Sequence, residues 1–345
     1  MEVARKLLVW MHAPEYPLWS MPAEDRERVA AALPGEWEAV FLEEPGYFAG
    51  DGARRIPGRL LQEIRDAEVY AGFGLPRPAF LEARELRWVH SGAAGVGGAL
   101  YGEMRDSDVL LTNSAGLHSE PLGDHALAMI LHFARGLDVA EAGRARREWR
   151  HTAMAGAGSP LVEVEGRSVG VIGYGGIGSA VGRRAAALGM RVLAVSRSGG
   201  PAPDEVESLR DEGGLDDVLS ASHYVAVCVP ETDGTRNLLG EERLALLRED
   251  AVLINLSRGG IVEEAALARM LASGRLRGAG LDVFEEEPLP PDSPLWDLEN
   301  VVITPHAGAV SPRFWERETP LLIENLRRYL DGRPLVNVVD KELGY

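Results

Sequence analysis

The stretch RSVGVIGYGGIGSAVGRRAAALGMRVLAVS, residues 167–196, constrains the fold of this chain more than any other. An apolar run ends in Gly173-x-Gly175-x-x-Gly178. A helix pattern follows, with small residues at Ala180, Ala185 and Ala186, and a second apolar run begins after Gly189. Glycine is abundant here, 40 residues in all, so the spacing alone would mean little. Its place between a strand and a helix gives it meaning. Gly173 makes the tight turn, Gly175 lets backbone approach a pyrophosphate, and Gly178 lets helix and strand pack closely. The helix N-terminus then supplies amide donors to the phosphates. The turn, with Tyr174, Gly176 and Ile177 between its glycines, reads as a dinucleotide site.

The second strand of such a unit normally ends in an acid that accepts the ribose diol. Here it ends in Ser196-Arg197-Ser198. A serine removes the carboxylate that would repel a 2′-phosphate. Arg197 offers a planar donor fork suited to phosphate, and the two hydroxyls add donors. The reading is NADP(H) in preference to NAD(H). The competing reading is that Arg197 only solvates the strand end while NAD binds through its neighbours.

Short apolar runs recur along all 345 residues, separated by helix patterns. The first series covers 6–11, 37–42, 67–72, 87–91 and 108–113. The second covers 167–173, 191–196, 224–230, 251–257, 278–284 and 300–305. Continuous apolar runs alternating with helices are the mark of parallel sheets covered on both faces. The expected fold class is therefore α/β, with two doubly wound, Rossmann-like or flavodoxin-like domains and a cleft between them. Between the two series, SEPLGDHALAMILHFARGL reads as a helix with Leu122, Ala126, Met129, Ile130 and Phe133 on one face. The glycine-dotted arm after it is either a contact with a second subunit, anchored by Trp149, or a surface excursion.

Composition excludes several classes. Fifty-three acidic against 36 basic residues leave a formal charge of −17, which repels phosphate backbones and anionic membrane surfaces. Neither nucleic acid nor a membrane is an expected partner. No apolar run reaches the roughly 20 residues of a membrane span, and the start carries no secretory cleavage pattern. One cysteine, Cys228, cannot form an internal disulfide or a multi-cysteine metal site and reads as a small buried hydrophobe. The expected location is the cytoplasm, and no metal is expected.

Three further segments begin at strand ends, where open α/β sheets place their ligands: LRWVHSGAAGVG (86–97), NLSRGGIVEEAAL (255–267) and the run from Gly280 to Pro312. They bring an arginine (Arg258), a carboxylate (one of Glu285 to Glu287) and a histidine (His306). An arginine binds carboxylate and polarises a carbonyl. A histidine donates a proton as hydride arrives, and a neighbouring carboxylate favours its protonated form. Taken singly, each residue has an ordinary structural alternative: Arg258 pairing with Glu263, an acidic surface turn, a satisfied loop histidine. The remaining histidines read as structural or surface residues.

These motifs resemble the D-isomer-specific 2-hydroxyacid dehydrogenase family, over about Leu86 to Val339. GYGGIG is similar to its cofactor loop, NLSRGGIVEEAAL to its arginine motif, LDVFEEEPLPPDSPLW to its glutamate motif and TPHAG to its histidine motif. The resemblance implies Arg258, Glu287 and His306 as the catalytic residues, and Asp282 as the residue holding the nicotinamide amide. It adds Val229, Pro230, Leu256 and Ser257 on the cofactor side. The amides of Ala94, Gly95 and Val96 are implied as the cradle of the substrate carboxylate, with Arg258 and His306 also touching substrate. It further implies a discontinuous substrate domain, 1–116 plus 307–345, around a dinucleotide-binding domain, 117–306. The two domains are expected to close over the bound molecules, and the protein to be a homodimer.

The departures are informative. Gly97 stands where many members have Asp, Glu231 where many have Leu, and the ribose acid is absent, as in members that use NADPH. The expected activity is hydride transfer between NADP(H) and a small 2-keto acid of the glyoxylate, hydroxypyruvate or pyruvate type, giving the D-2-hydroxy acid. The alternatives are a phosphite-type dehydrogenase on the same scaffold and a nucleotide-sensing protein resembling the family's corepressor relatives. Glu287 argues against the formate enzymes of this scaffold. For the substrate side chain, the turn AGFGLP with Phe73 and Leu75, together with His90, is the expected pocket.

Overall fold

The computed structural model describes residues 5–45, 48–49, 52–53, 56–197 and 199–345. Two compact units partition the chain: Met1–His118 with Val310–Tyr345, and Ser119–Ala309.

The first unit is built on a parallel sheet of β1 (Arg5–Trp10), β2 (Trp37–Phe41), β5 (Val69–Gly72), β6 (Trp88–Ser91) and β7 (Leu110–Asn113), in the order β2-β1-β5-β6-β7. This is the flavodoxin-like order. Between β2 and β5, β3 (Phe48–Ala49) and β4 (Gly52–Ala53) form a separate antiparallel pair. Alternate residues of each main strand enter different cores. Leu8, Trp10, Tyr70, Val89 and Leu111 pack on one side; Leu7, Val9, Val69, Ala71 and Trp88 pack on the other. Burial on both faces is why these strands read as unbroken apolar runs. The returning helix Phe314–Leu330 belongs to the second core through Phe314, Trp315, Leu322, Ile323 and Leu326.

The second unit holds a seven-stranded parallel sheet: β8 (Ser168–Ile172), β9 (Arg191–Val195), β10 (Ser208–Arg210), β11 (Tyr224–Val227), β12 (Val252–Asn255), β13 (Gly278–Leu281) and β14 (Val301–Ile303). Its order, β10-β9-β8-β11-β12-β13-β14, is the dinucleotide-binding order with the reversal beside β8. Again alternate residues divide between two cores: Val225 and Val227 on one face, Tyr224 and Ala226 on the other. The helix Ser119–Ala134 buries Leu122, Ala126, Met129, Ile130 and Phe133. It lies directly on β13, because Gly278 and Gly280 leave room. A Cβ on either would stand 2.5 Å from Phe133 or Met129.

The arm beyond it forms two helices, Leu137–Arg146 and His151–Ala155, with Trp149 93% exposed between them. Among the described residues, no helix is long and apolar enough to cross a membrane, and no group of three or more His, Cys, Asp or Glu could hold a metal ion.

Candidate active site

The turns that leave β8, β9, β11, β12, β13 and β14 all emerge at the C-terminal edge of the seven-stranded sheet. After β8, Gly173 has φ +94°, a left-handed value that favours glycine, and its amide donates to the Val195 carbonyl at 2.8 Å. A Cβ there would stand 2.7 Å from Val229, and one on Gly178 would overlap the Gly173 carbonyl oxygen. Gly175 is the N-cap of the helix Gly176–Ala187; among the described residues no side chain caps this end and none would meet a Cβ on Gly175. The result is a helix N-terminus with uncapped amides of Gly176, Ile177 and Gly178 beneath an open surface, which fits a pyrophosphate. Tyr174 closes one side: its hydroxyl donates to Glu205 at 3.0 Å, and burial followed by that carboxylate pushes its pKa up.

The turns after β11 and β12 are joined to each other. The Ser257 hydroxyl donates to the Val229 carbonyl, and Thr235 donates to the Pro230 carbonyl at 2.6 Å. Leu256 and Ser257 are both buried. At the end of β9 the Ser196 amide donates to the Arg210 carbonyl at 3.0 Å, and Arg197 is exposed on the turn. Ser198 lies outside the described residues.

Arg258 follows β12 in a turn that Asn255 holds at both ends. The Asn255 Nδ2 donates to the Arg258 carbonyl at 2.9 Å, and its Oδ1 accepts the Ser257 amide at 3.2 Å. The Arg258 guanidinium donates to the Ser257 carbonyl at 2.7 Å. Of the three consecutive glutamates, Glu285 and Glu264 each accept the other's amide on a side-chain carboxylate, and Glu286 is exposed. Glu287 turns inward. Its Oε1 accepts the Phe284 amide at 3.0 Å, and its Oε2 lies 2.7 Å from His306 Nδ1.

Burial acts to raise the Glu287 pKa. The His306 hydrogen bond and charge, the Phe284 amide and the Arg258 charge outweigh it, and the carboxyl is held below its ordinary range. An ionised carboxylate only accepts, so Nδ1 carries the hydrogen. Nε2 of His306 makes no hydrogen bond among the described residues, and is the atom left to act on a substrate. Glu263 is engaged elsewhere, accepting the Glu241 amide at 2.9 Å.

His306 has φ +50°, unusual for a residue with a side chain. Its amide donates to the Asp282 carbonyl at 2.8 Å. The Asp282 carboxylate, 1% exposed, accepts the Thr304 hydroxyl at 2.6 Å and the Ala307 and Gly308 amides at 2.9 Å each. Asp282 thus grips the histidine loop from both its main chain and its side chain. His125 completes this support, with Nε2 3.0 Å from the Thr304 hydroxyl and 3.8 Å from Asp282. Sequence reading missed both supporting roles. His125 sits 179 residues from Thr304, and no local pattern announces it.

In the other unit, Ala94, Gly95 and Val96 follow β6. Asn113 shapes their loop by donating to the Ala94 carbonyl at 2.7 Å. Their own amides donate to no group among the described residues, as a carboxylate cradle requires. Two expectations about the substrate pocket are corrected. His90 is completely buried, with Nδ1 2.8 Å from Thr112 and Nε2 2.8 Å from Glu318. Leu75, 1% exposed, belongs to the core. His90 lies within β6 and Leu75 in the turn after β5, and which way either side chain points is not marked in the sequence.

Comparison with known proteins places this geometry. Residues 127–308 match the NAD binding domain of the D-isomer specific 2-hydroxyacid dehydrogenases. A glyoxylate reductase of Korarchaeum cryptofilum is 36% identical over 293 residues, 82% of each chain. A D-isomer specific 2-hydroxyacid dehydrogenase from Xanthobacter autotrophicus, solved with NADPH and MES, superposes with TM-score 0.79 at 31% identity, covering 99% of this chain and 100% of that one. An NADPH-dependent glyoxylate/hydroxypyruvate reductase from Sinorhizobium meliloti, solved with NADP and sulfate, gives TM-score 0.80 at 28% identity, with coverage of 99% and 100%. The chain belongs to the D-isomer specific 2-hydroxyacid dehydrogenase family. It is an NAD(P)-dependent 2-hydroxyacid dehydrogenase, interconverting small 2-keto and 2-hydroxy acids with a nicotinamide cofactor.

Proposed function

We propose that this enzyme reduces small 2-keto acids of the glyoxylate, hydroxypyruvate or pyruvate type to D-2-hydroxy acids, with NADPH preferred over NADH. The observation that carries the reading is the Glu287–His306 pair at 2.7 Å, with Nε2 of the histidine making no hydrogen bond among the described residues and the charge of Arg258 acting on the same carboxylate. When bound, the reduced nicotinamide supplies a hydride to the carbonyl carbon. His306 Nε2 donates a proton to the carbonyl oxygen, and Glu287 stabilises the imidazolium and fixes its ring. Arg258 binds the keto acid and polarises its carbonyl. The amides of Ala94, Gly95 and Val96 take the carboxylate.

NADPH preference is supported by the serine and arginine that end β9 where a ribose acid would stand, and by the NADPH-dependent relatives described above. A homodimer built through the arm is supported by the exposed Trp149 and by Leu137, 48% exposed.

The test is absorbance of the reduced cofactor with glyoxylate, hydroxypyruvate, pyruvate and phenylpyruvate, each with NADPH and with NADH. Rapid oxidation of NADPH by one or more of the small acids is expected. No turnover across the panel, in protein that binds NADPH, would overturn the reading.

A further inference from the structure

We propose that Arg210, on the edge strand β10, is a second cation for the 2′-phosphate of NADPH and acts beside Arg197 as a specificity-determining residue. The inference rests on the cofactor reading above and adds a residue that no motif singles out.

Register puts Arg210 in place. β10 pairs in parallel with β9, setting Arg210 opposite Val195. The Ser196 amide, one residue further, donates to the Arg210 carbonyl at 3.0 Å. Arg210 therefore ends its strand beside the turn that should receive the ribose. The two strand-end turns wall an open pocket of about 510 Å³, lined by Gly199, Gly200, Arg210, Asp211, Gly213 and Gly214 among others.

Gly214 shows that the arginine's position is built. Its φ of −90° and ψ of 4° are open to residues with side chains, so the backbone does not demand glycine there. The space does: a Cβ on Gly214 would stand 2.5 Å from both Cβ and Cδ of Arg210. The stem of the arginine lies across the glycine. At its tip, Nη1 donates to Asp217 at 2.7 Å, in a pair whose side chains are 51% and 71% exposed. So exposed a pair holds its partners weakly. A phosphate monoester, with nearly two negative charges, is a stronger partner for the guanidinium fork. The opposing carboxylates are Asp211, Glu212 and Asp217. Asp211 is turned onto the Gly213 amide at 3.1 Å.

The experiment is direct measurement of Kd for NADPH and for NADH by calorimetry, on the wild type, Arg210→Gln and Asp217→Asn. Loss of a charged hydrogen bond should weaken NADPH about tenfold in Arg210→Gln, and leave NADH within about twofold. Asp217→Asn keeps Arg210 and removes its competitor, so it should tighten NADPH and leave NADH unchanged. A wild type that prefers NADPH, with the same preference in Arg210→Gln, would overturn this inference while leaving the cofactor reading intact. Should Arg210→Gln misfold, NADPH binding in Asp217→Asn no tighter than wild type would overturn it equally. A wild type without preference would overturn both.

Discussion

Gly259 meets Phe284 backbone to backbone: a Cβ on the glycine would overlap the carbonyl carbon and oxygen of the phenylalanine. This contact joins the turn that carries Arg258 to the loop that brings Glu287 to His306. Gly259→Ala should force the two apart. Overpacking of this kind costs about 1–3 kcal/mol, which lowers the melting temperature by about 2–10 °C. Because the displaced atoms hold the residues proposed to be catalytic, kcat should fall at least about tenfold. Thermal melts and turnover on the same preparation test it; an unchanged kcat would show that the contact does not set the site.

His306→Gln should lower kcat by about 10²–10⁴, the usual value of a general acid, while the Kd for NADPH stays near wild type. Retained turnover would mean that the proton comes from another group.

Glu287 gives a pH dependence with a definite sign. Its folded pKa lies below the ordinary value, so its contribution to stability is fully present above the unfolded pKa of about 4.3. That contribution is lost as pH falls through the folded value. The stability difference between wild type and Glu287→Gln should be largest near neutrality and shrink below about pH 4. Urea midpoints at pH 7 and pH 3 measure it. A gap that widens in acid would contradict the assignment.

Asp282→Asn separates two roles for one residue. If the carboxylate chiefly holds the histidine loop, the variant sets amide hydrogens against amide hydrogens. It should then lose about 1–3 kcal/mol of stability, with a fall in kcat. If it chiefly holds the nicotinamide amide, KM for NADPH should rise while kcat and the melting temperature stay. The three hydrogen bonds to Thr304, Ala307 and Gly308 favour the first outcome.

Burial pushes the Cys228 thiol up to about 12, leaving almost no thiolate at neutral pH. A thiol reagent should therefore react slowly with the native enzyme, and rapidly with one equivalent in denaturant. Fast labelling of native protein would show that the end of β11 opens.

The central strands were legible because each is buried on both faces, which leaves an apolar run in the sequence. β10 was not. Its three residues, Ser208-Leu209-Arg210, pair with β9 at the edge of the sheet and bury little, so neither length nor apolarity marks them. The same division holds at the site. Arg258, Glu287 and His306 stand in recognisable segments at strand ends. What orients them was invisible, since Gly259 is required by a backbone 25 residues away and His125 reaches Thr304 across most of the unit. The pocket role given to His90 failed for a related reason: its partner Glu318 arrives on a helix from the far end of the chain, 228 residues on.

That return of residues 310–345 to the first unit has a consequence for how the protein is made. The N-terminal sheet lacks one side of a core until Phe314, Trp315, Leu322, Ile323 and Leu326 are available to cover it. On the ribosome, where synthesis runs from the N-terminus, the strands emerging first must wait, their apolar face exposed, while all of Ser119–Ala309 is translated. The cofactor-binding unit, continuous in sequence, is free to fold meanwhile. The strands of the first unit, although synthesised before the cofactor-binding unit, thus settle after it, and they are the part of this enzyme that a chaperone would have most reason to hold.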